Sequence, residues 1–130
     1  MEFTQVSTLD LEISRVTLGT WAIGGWMWGG TDEQKSIDTV LAAIDKGVTT
    51  IDTAPVYGQG RSEELVGKAV QQHGNREELQ LATKFGLQWD DDSNPSRNSS
   101  RDRILKEIDD SLRRLKTDYI DIYQVHWPDL

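Results

Sequence analysis

Apolar residues along this chain recur in two rhythms. Ile37, Val40, Leu41 and Ile44 fall three and four apart, as do Leu65, Val66, Ala69 and Val70, and then Ile104, Leu105, Ile108, Leu112 and Leu115. That spacing predicts amphipathic helices over 32–46, 62–73 and 101–115. Between them stand short runs: Arg15–Trp21, Val48–Asp52 and Tyr119–His126, rich in β-branched and aromatic residues, and Leu79–Lys84, which ends in a lysine. These read as strands. The punctuation agrees. Thr31 and Asp32 with Gln34 resemble a capping box, Ser62 with Glu63 and Glu64 opens the second helix, and Ser99 or Ser100 the third. Gly47 and Gly74 stop the first two.

Strand and helix therefore alternate from residue 15 onward, which calls for parallel strands, right-handed crossovers and helices on one outer face. Two short alternating runs at 3–7 and 11–14, around Thr8-Leu9-Asp10, predict a small hairpin closing the sheet end opposite Asp52. Residues 86–100 are polar and read as a long surface loop, with Asp90-Asp91-Asp92 as a solvated face. No linker divides residues 1–130, so one domain is expected.

Composition narrows the partners. No apolar run approaches the ~20 residues of a membrane span, and the amino terminus lacks the basic start and apolar stretch of a secretory signal. The absence of cysteine rules out disulfides and thiolate metal sites, no other metal site is read, and a cytoplasmic location is expected. A net charge of −8 argues against nucleic acid and anionic membranes as partners.

Three of the strands end on ionisable residues: Asp52, Lys84 and His126. In parallel α/β folds the carboxyl ends of strands share the face that carries active sites. Tyr57 follows Asp52 in a tight Pro/Gly loop, so the four would converge. Each alone has an ordinary explanation: a cap, a solvated strand end, a satisfied core imidazole, a packed loop tyrosine. Together they suit proton donation to a carbonyl oxygen. A phenol near pKa ~10 is a poor acid at neutral pH unless a cation lies beside it. Lys84 can supply the cation, Asp52 can orient it, and His126 can hydrogen-bond the substrate oxygen. No side chain donates hydride, so a bound nicotinamide is required. The segment Ala22–Gly30, with four glycines plus Trp26 and Trp28, and Trp21 before it, reads as a pocket wall.

At this point the sequence resembles the aldo-keto reductase family. The resemblance is carried by Gly47, then Ile51-Asp52-Thr53-Ala54, Tyr57-Gly58, Gly60 and Ser62-Glu63. It continues in Ala82-Thr83-Lys84, Ser111-Leu112-Arg113-Arg114-Leu115, Asp118-Tyr119-Ile120-Asp121 and Gln124-Val125-His126-Trp127-Pro128. The opening Leu18–Gly25 resembles the bacterial branch containing the general stress proteins. The resemblance implies an α/β fold, a parallel (β/α) barrel of TIM type, of which this chain supplies about the first four β/α units. It implies NADPH-dependent reduction of a small carbonyl substrate, with NADH as the alternative, and a catalytic set of Asp52, Tyr57, Lys84 and His126 with Tyr57 as general acid. Gly19, Thr20, Trp21, Asp52 and Lys84 are expected near the nicotinamide ribose, and Trp21, Tyr57, His126 and Trp127 around the substrate. A full barrel needs ~250 residues. The alternatives are a non-catalytic binding module of the same fold, or an inactive half-barrel whose apolar inner face and open edges make the isolated chain self-associate.

Overall fold

The computed structural model describes residues 1–129; the expected domain of 1–130 runs one residue past them. A hairpin of β1 (Phe3–Val6) and β2 (Leu11–Ser14) precedes four parallel strands: β3 (Leu18–Gly19), β4 (Thr50–Asp52), β5 (Gln80–Phe85) and β8 (Ile122–Val125). They lie in sequential order, with Leu18 beside Ile51, Ile51 beside Leu81, and Ala82 beside Ile122. Helices α1 (Glu33–Asp45), α2 (Arg61–His73) and α3 (Arg101–Leu115) make the three crossovers. Ile51 and Leu81 pack against Val40 of α1, Leu65, Val66 and Ala69 of α2, and Leu115 of α3, so all three helices cover one face. This is the winding of consecutive units of a (β/α)₈ barrel.

Alternation along β5 sends Leu81 and Thr83 to the helices and leaves Gln80, Ala82 and Lys84 on the concave side. In register with these lie Thr50 and Asp52 on β4, and Ile122 and Gln124 on β8. The concave face is therefore largely polar, not apolar as the half-barrel expectation had it. Behind it, two buried carboxylates tie helices to strands. Glu63 accepts from Thr83 Oγ1 and Arg114 Nε at 2.6 Å each, and Glu107 from the Gly86 N–H at 3.0 Å.

Several boundaries differ from the sequence expectation, each for a local reason. The first core strand is short because the Ser14 hydroxyl donates to the Val16 carbonyl at 2.8 Å and turns the chain there. The fourth begins late because the Asp121 carboxylate takes the Leu81 N–H at 2.8 Å and Arg76 at 2.6 Å. The hairpin does sit at the far end of the sheet, since Ser14 Oγ accepts the Thr49 and Thr50 N–H groups at 3.1 Å. Its other side chains stay mostly exposed, so it covers little. The 86–100 segment is no plain loop: β6 (Leu87–Trp89) and β7 (Pro95–Arg97) form an antiparallel ribbon. Asp90 builds its turn by accepting the Asp92 and Asn94 N–H groups. Asp32 and Ser100 cap α1 and α3. Ser62 does not cap α2; Gly60 does, and Ser62 lies fully buried inside the first turn.

Candidate active site

β4 ends at Asp52, and the following loop reverses tightly. The Tyr57 N–H donates to the Ala54 carbonyl at 3.1 Å, and the Gly60 N–H to the Pro55 carbonyl at 2.6 Å. The turn brings the Tyr57 phenol over the carboxyl end of the sheet. Lys84, one residue before the end of β5, reaches it from below. Its Nζ donates to Asp52 Oδ2 at 2.7 Å, to the Thr53 carbonyl at 2.9 Å and to Tyr57 Oη at 3.2 Å. An ammonium has three protons, and all three are placed. Because Tyr57 Oη accepts from Lys84, its own proton is left to point elsewhere. The Lys84 side chain is only 12% exposed and that of Asp52 28%. A charge pair this enclosed is screened little by solvent.

His126 follows β8, and its backbone N–H extends the ladder to the Phe85 carbonyl at 2.8 Å. Its ring meets that of Tyr57 edge-on, with centroids 5.7 Å apart and planes at 87°. Burial, and then the positive charge of Lys84, push the imidazole below its ordinary value, while Asp52 pulls weakly the other way. The ring is therefore neutral at pH 7 and can offer one N–H donor.

Tyr57 and His126 open onto a cleft of about 410 Å³ walled by Trp21, Trp26, Met27, Leu87 and Trp127. That volume lies within the range of small-molecule sites. The Ala22–Gly30 segment thus forms a wall, through Trp26 and Met27, while Trp28 stacks edge-on against Trp21 with centroids 5.6 Å apart. Leu87 and Pro95, from the ribbon, also face the cleft and were not singled out from sequence. The available signal was the apolar Leu87 just beyond β5.

Of the residues expected near a cofactor, Gly19 pairs with Asp52 and is exposed, and a Cβ built there meets nothing within 4 Å. Asp52 Oδ1 has no partner among the described residues. Trp21 presents an indole 45% exposed. An open floor, a free carboxylate oxygen and an aromatic face fit a ribose and a planar ring. Thr20 departs from the expectation. It is fully buried, and its hydroxyl donates to the Asp52 carbonyl at 3.0 Å, so it stands behind the wall of the site instead of on its surface.

Residues 15–130 match the model of the aldo/keto reductase family. Aldo-keto reductase YhdN of Bacillus subtilis (strain 168) is 57% identical over 129 residues, covering 99% of this chain and 39% of its own length. The NADH-specific methylglyoxal reductase of Escherichia coli (strain K12) is 42% identical over 138 residues, covering 98% of this chain and 42% of its own. Among solved structures, glycerol dehydrogenase AKR11B4 from Gluconobacter oxydans superposes with a TM-score of 0.85 at 50% identity, over 98% of this chain and 39% of that one. The chain thus spans about two fifths of the length of the relatives it matches.

Proposed function

The chain belongs to the aldo/keto reductase family, and from that premise we propose that the complete barrel reduces an aldehyde or ketone to an alcohol, and catalyses the reverse. The carrying observation is the threefold bonding of Lys84 to Asp52, the Thr53 carbonyl and Tyr57. It leaves the phenolic proton of Tyr57 free for the cleft, beside an ammonium that stabilises the phenolate once the proton has gone. When bound, NADPH or NADH would be the source of hydride for the carbonyl carbon, and Tyr57 would give its phenolic proton to the oxygen, which completes the alcohol.

Placement supports the remaining roles. Asp52 neutralises Lys84 and fixes its direction. Neutral His126, set edge-on to Tyr57, donates to the carbonyl oxygen and holds it towards the phenol. Gly19, Trp21 and Asp52 would hold the ribose and ring, and Trp21 and Trp127 would flank the substrate. NADPH is the expected cofactor from the family resemblance, while the relative named as NADH-specific makes NADH the second arm of the test.

No helix among the described residues is long and apolar enough to cross a membrane. A cytoplasmic location, inferred from the cysteine-free composition, belongs to the same reading. So does self-association of the 130-residue chain taken alone.

Substitution of Tyr57 by Phe in the complete barrel keeps the ring and removes the donor. General acid catalysis contributes about 10²–10⁴-fold, so oxidation of NADPH or NADH with a generic aldehyde should slow by that much, with cofactor affinity unchanged. Retention of more than about a tenth of wild-type turnover excludes Tyr57 as the proton donor.

A further inference from the structure

We infer that Ser62 is a positioning residue of this site, the hub of a buried hydroxyl chain that sets where Tyr57 and Lys84 meet. Thr20, Thr53 and Ser62 are each 0% exposed. The oxygen of Ser62 lies 3.0 Å from Thr53 Oγ1, 2.7 Å from Thr20 Oγ1 and 2.9 Å from the Thr20 carbonyl. Thr20 Oγ1 lies 3.0 Å from the Asp52 carbonyl, which also takes the Thr20 N–H at 3.0 Å. One assignment lets each hydroxyl donate once: Thr53 to Ser62, Ser62 to Thr20, Thr20 to Asp52.

Each end of this chain belongs to the catalytic apparatus. Thr20 precedes Trp21. Thr53 follows Asp52, and its carbonyl is one of the three acceptors of Lys84. The backbone N–H of Ser62 donates to the Tyr57 carbonyl at 3.1 Å and closes the loop that aims the phenol. A single residue therefore touches the segments carrying Trp21, Asp52 and Tyr57, and reaches Lys84 through Thr53. The usual preference explains no part of this: Ser62 caps nothing, and a buried helical position of its size would ordinarily be Ala. With Ala there, the buried Thr53 hydroxyl would lose its acceptor and would have to turn, while Thr20 would lose its donor and keep its bond to the Asp52 carbonyl.

The kinetic arm of the test rests on the functional reading above; a structural arm does not. In the complete barrel, Ser62→Ala, Thr53→Val and Thr53→Ser are compared with wild type at saturating cofactor. Thr53→Val keeps the shape and loses the hydroxyl, whereas Thr53→Ser keeps the hydroxyl and loses a methyl. A small misplacement of reacting groups costs up to about 10²-fold. We expect kcat to fall about tenfold or more in Ser62→Ala and Thr53→Val, with KM nearly constant, and to be largely retained in Thr53→Ser. A purely structural role predicts the reverse order within the Thr53 pair, or equal kcat once the folded fraction is counted, and either result overturns the inference. Should Ser62→Ala fail to fold, the Thr53 pair decides. A wild type inactive on every carbonyl tested would refute the functional reading instead. The inference then stands or falls on a crystal structure of Thr53→Val, overturned if Lys84 keeps its bonds to the Thr53 carbonyl and to Tyr57.

Discussion

The Nζ of Lys84 lies 3.2 Å from the phenolic oxygen of Tyr57 and 4.9 Å from the centre of its ring, so the ammonium sits at the oxygen end of the ring and not over its face. A cation so placed acts on the charge that develops at oxygen as the proton leaves. Substitution of Lys84 by Met should therefore lower kcat by about 10²–10⁴-fold, as removal of the acid itself does. The two groups act as one unit, so the double variant Tyr57→Phe with Lys84→Met should be little worse than either single change. Single-turnover kinetics of the four proteins provide the check; losses that multiply would show that the two side chains work separately.

The imidazole of His126 is held below its ordinary value by burial and by Lys84. In an unfolded chain it would take up its proton near pH ~6.5. Between that pH and the lower folded value, the unfolded chain binds more protons than the native one. The stabilising share of His126 is thus fully present above about pH 6.5 and is lost as the pH falls towards the folded value. Thermal melts from pH 7.5 to pH 5 should show a steeper decline for wild type than for His126→Gln. Parallel curves would mean that the imidazole titrates normally.

The 130-residue chain alone leaves one edge of β3 and one of β8 without a neighbouring strand. Unpaired ladder groups recruit other strands. Because the concave face carries Thr50, Asp52, Gln80, Lys84 and Gln124, association should run through the edges and not through apolar burial. Light scattering should find concentration-dependent dimers, and Val125→Lys, which puts a charge on the exposed edge residue of β8, should shift them to monomers. Wild-type chain that stays monomeric at high concentration would refute this.

Much of this arrangement was legible because it rests on periodicity. The three helices appear within a residue or two of their apolar spacing, β4 falls in the run Val48–Asp52, rich in β-branched residues, and β5 falls on the segment expected around Leu79–Lys84. Asp52, Tyr57, Lys84 and His126 were legible for a related reason, since strand ends in a βαβ order must share one rim. What was hidden depends on contacts between distant segments. The β6–β7 ribbon sits in a polar stretch with a proline, and Leu87, packed with Ala54 and Val56, and Trp89 beside them anchor it. Glu63 reads as a first-turn acid on α2, yet it is fully buried between Thr83 and Arg114, partners 20 and 51 residues away. The polar concave face was obscured because successive strand residues alternate sides, and a run such as Gln80-Leu81-Ala82-Thr83-Lys84 shows both faces at once.

The aromatic wall and the Tyr57 loop meet backbone to backbone at two glycines. A Cβ built on Gly58 would come within 2.1 Å of the Gly24 carbonyl oxygen, and one on Gly24 within 2.6 Å of the Tyr57 carbonyl group. Gly58 also has φ +65°, a conformation that costs other residues about 1–2 kcal/mol before any clash is counted. Gly24→Ala carries no such backbone penalty, so it reports the close approach without the conformational cost. Both should push the wall containing Trp26 and Met27 away from Tyr57, widening the cleft and weakening substrate binding. Gly58→Ala should also lower the melting temperature further than Gly24→Ala, because it adds the conformational cost to a closer contact. Differential scanning calorimetry and KM for a generic aldehyde make the comparison. If both variants melt with wild type and bind substrate equally well, the loops have room to separate and the close approach does not shape the site.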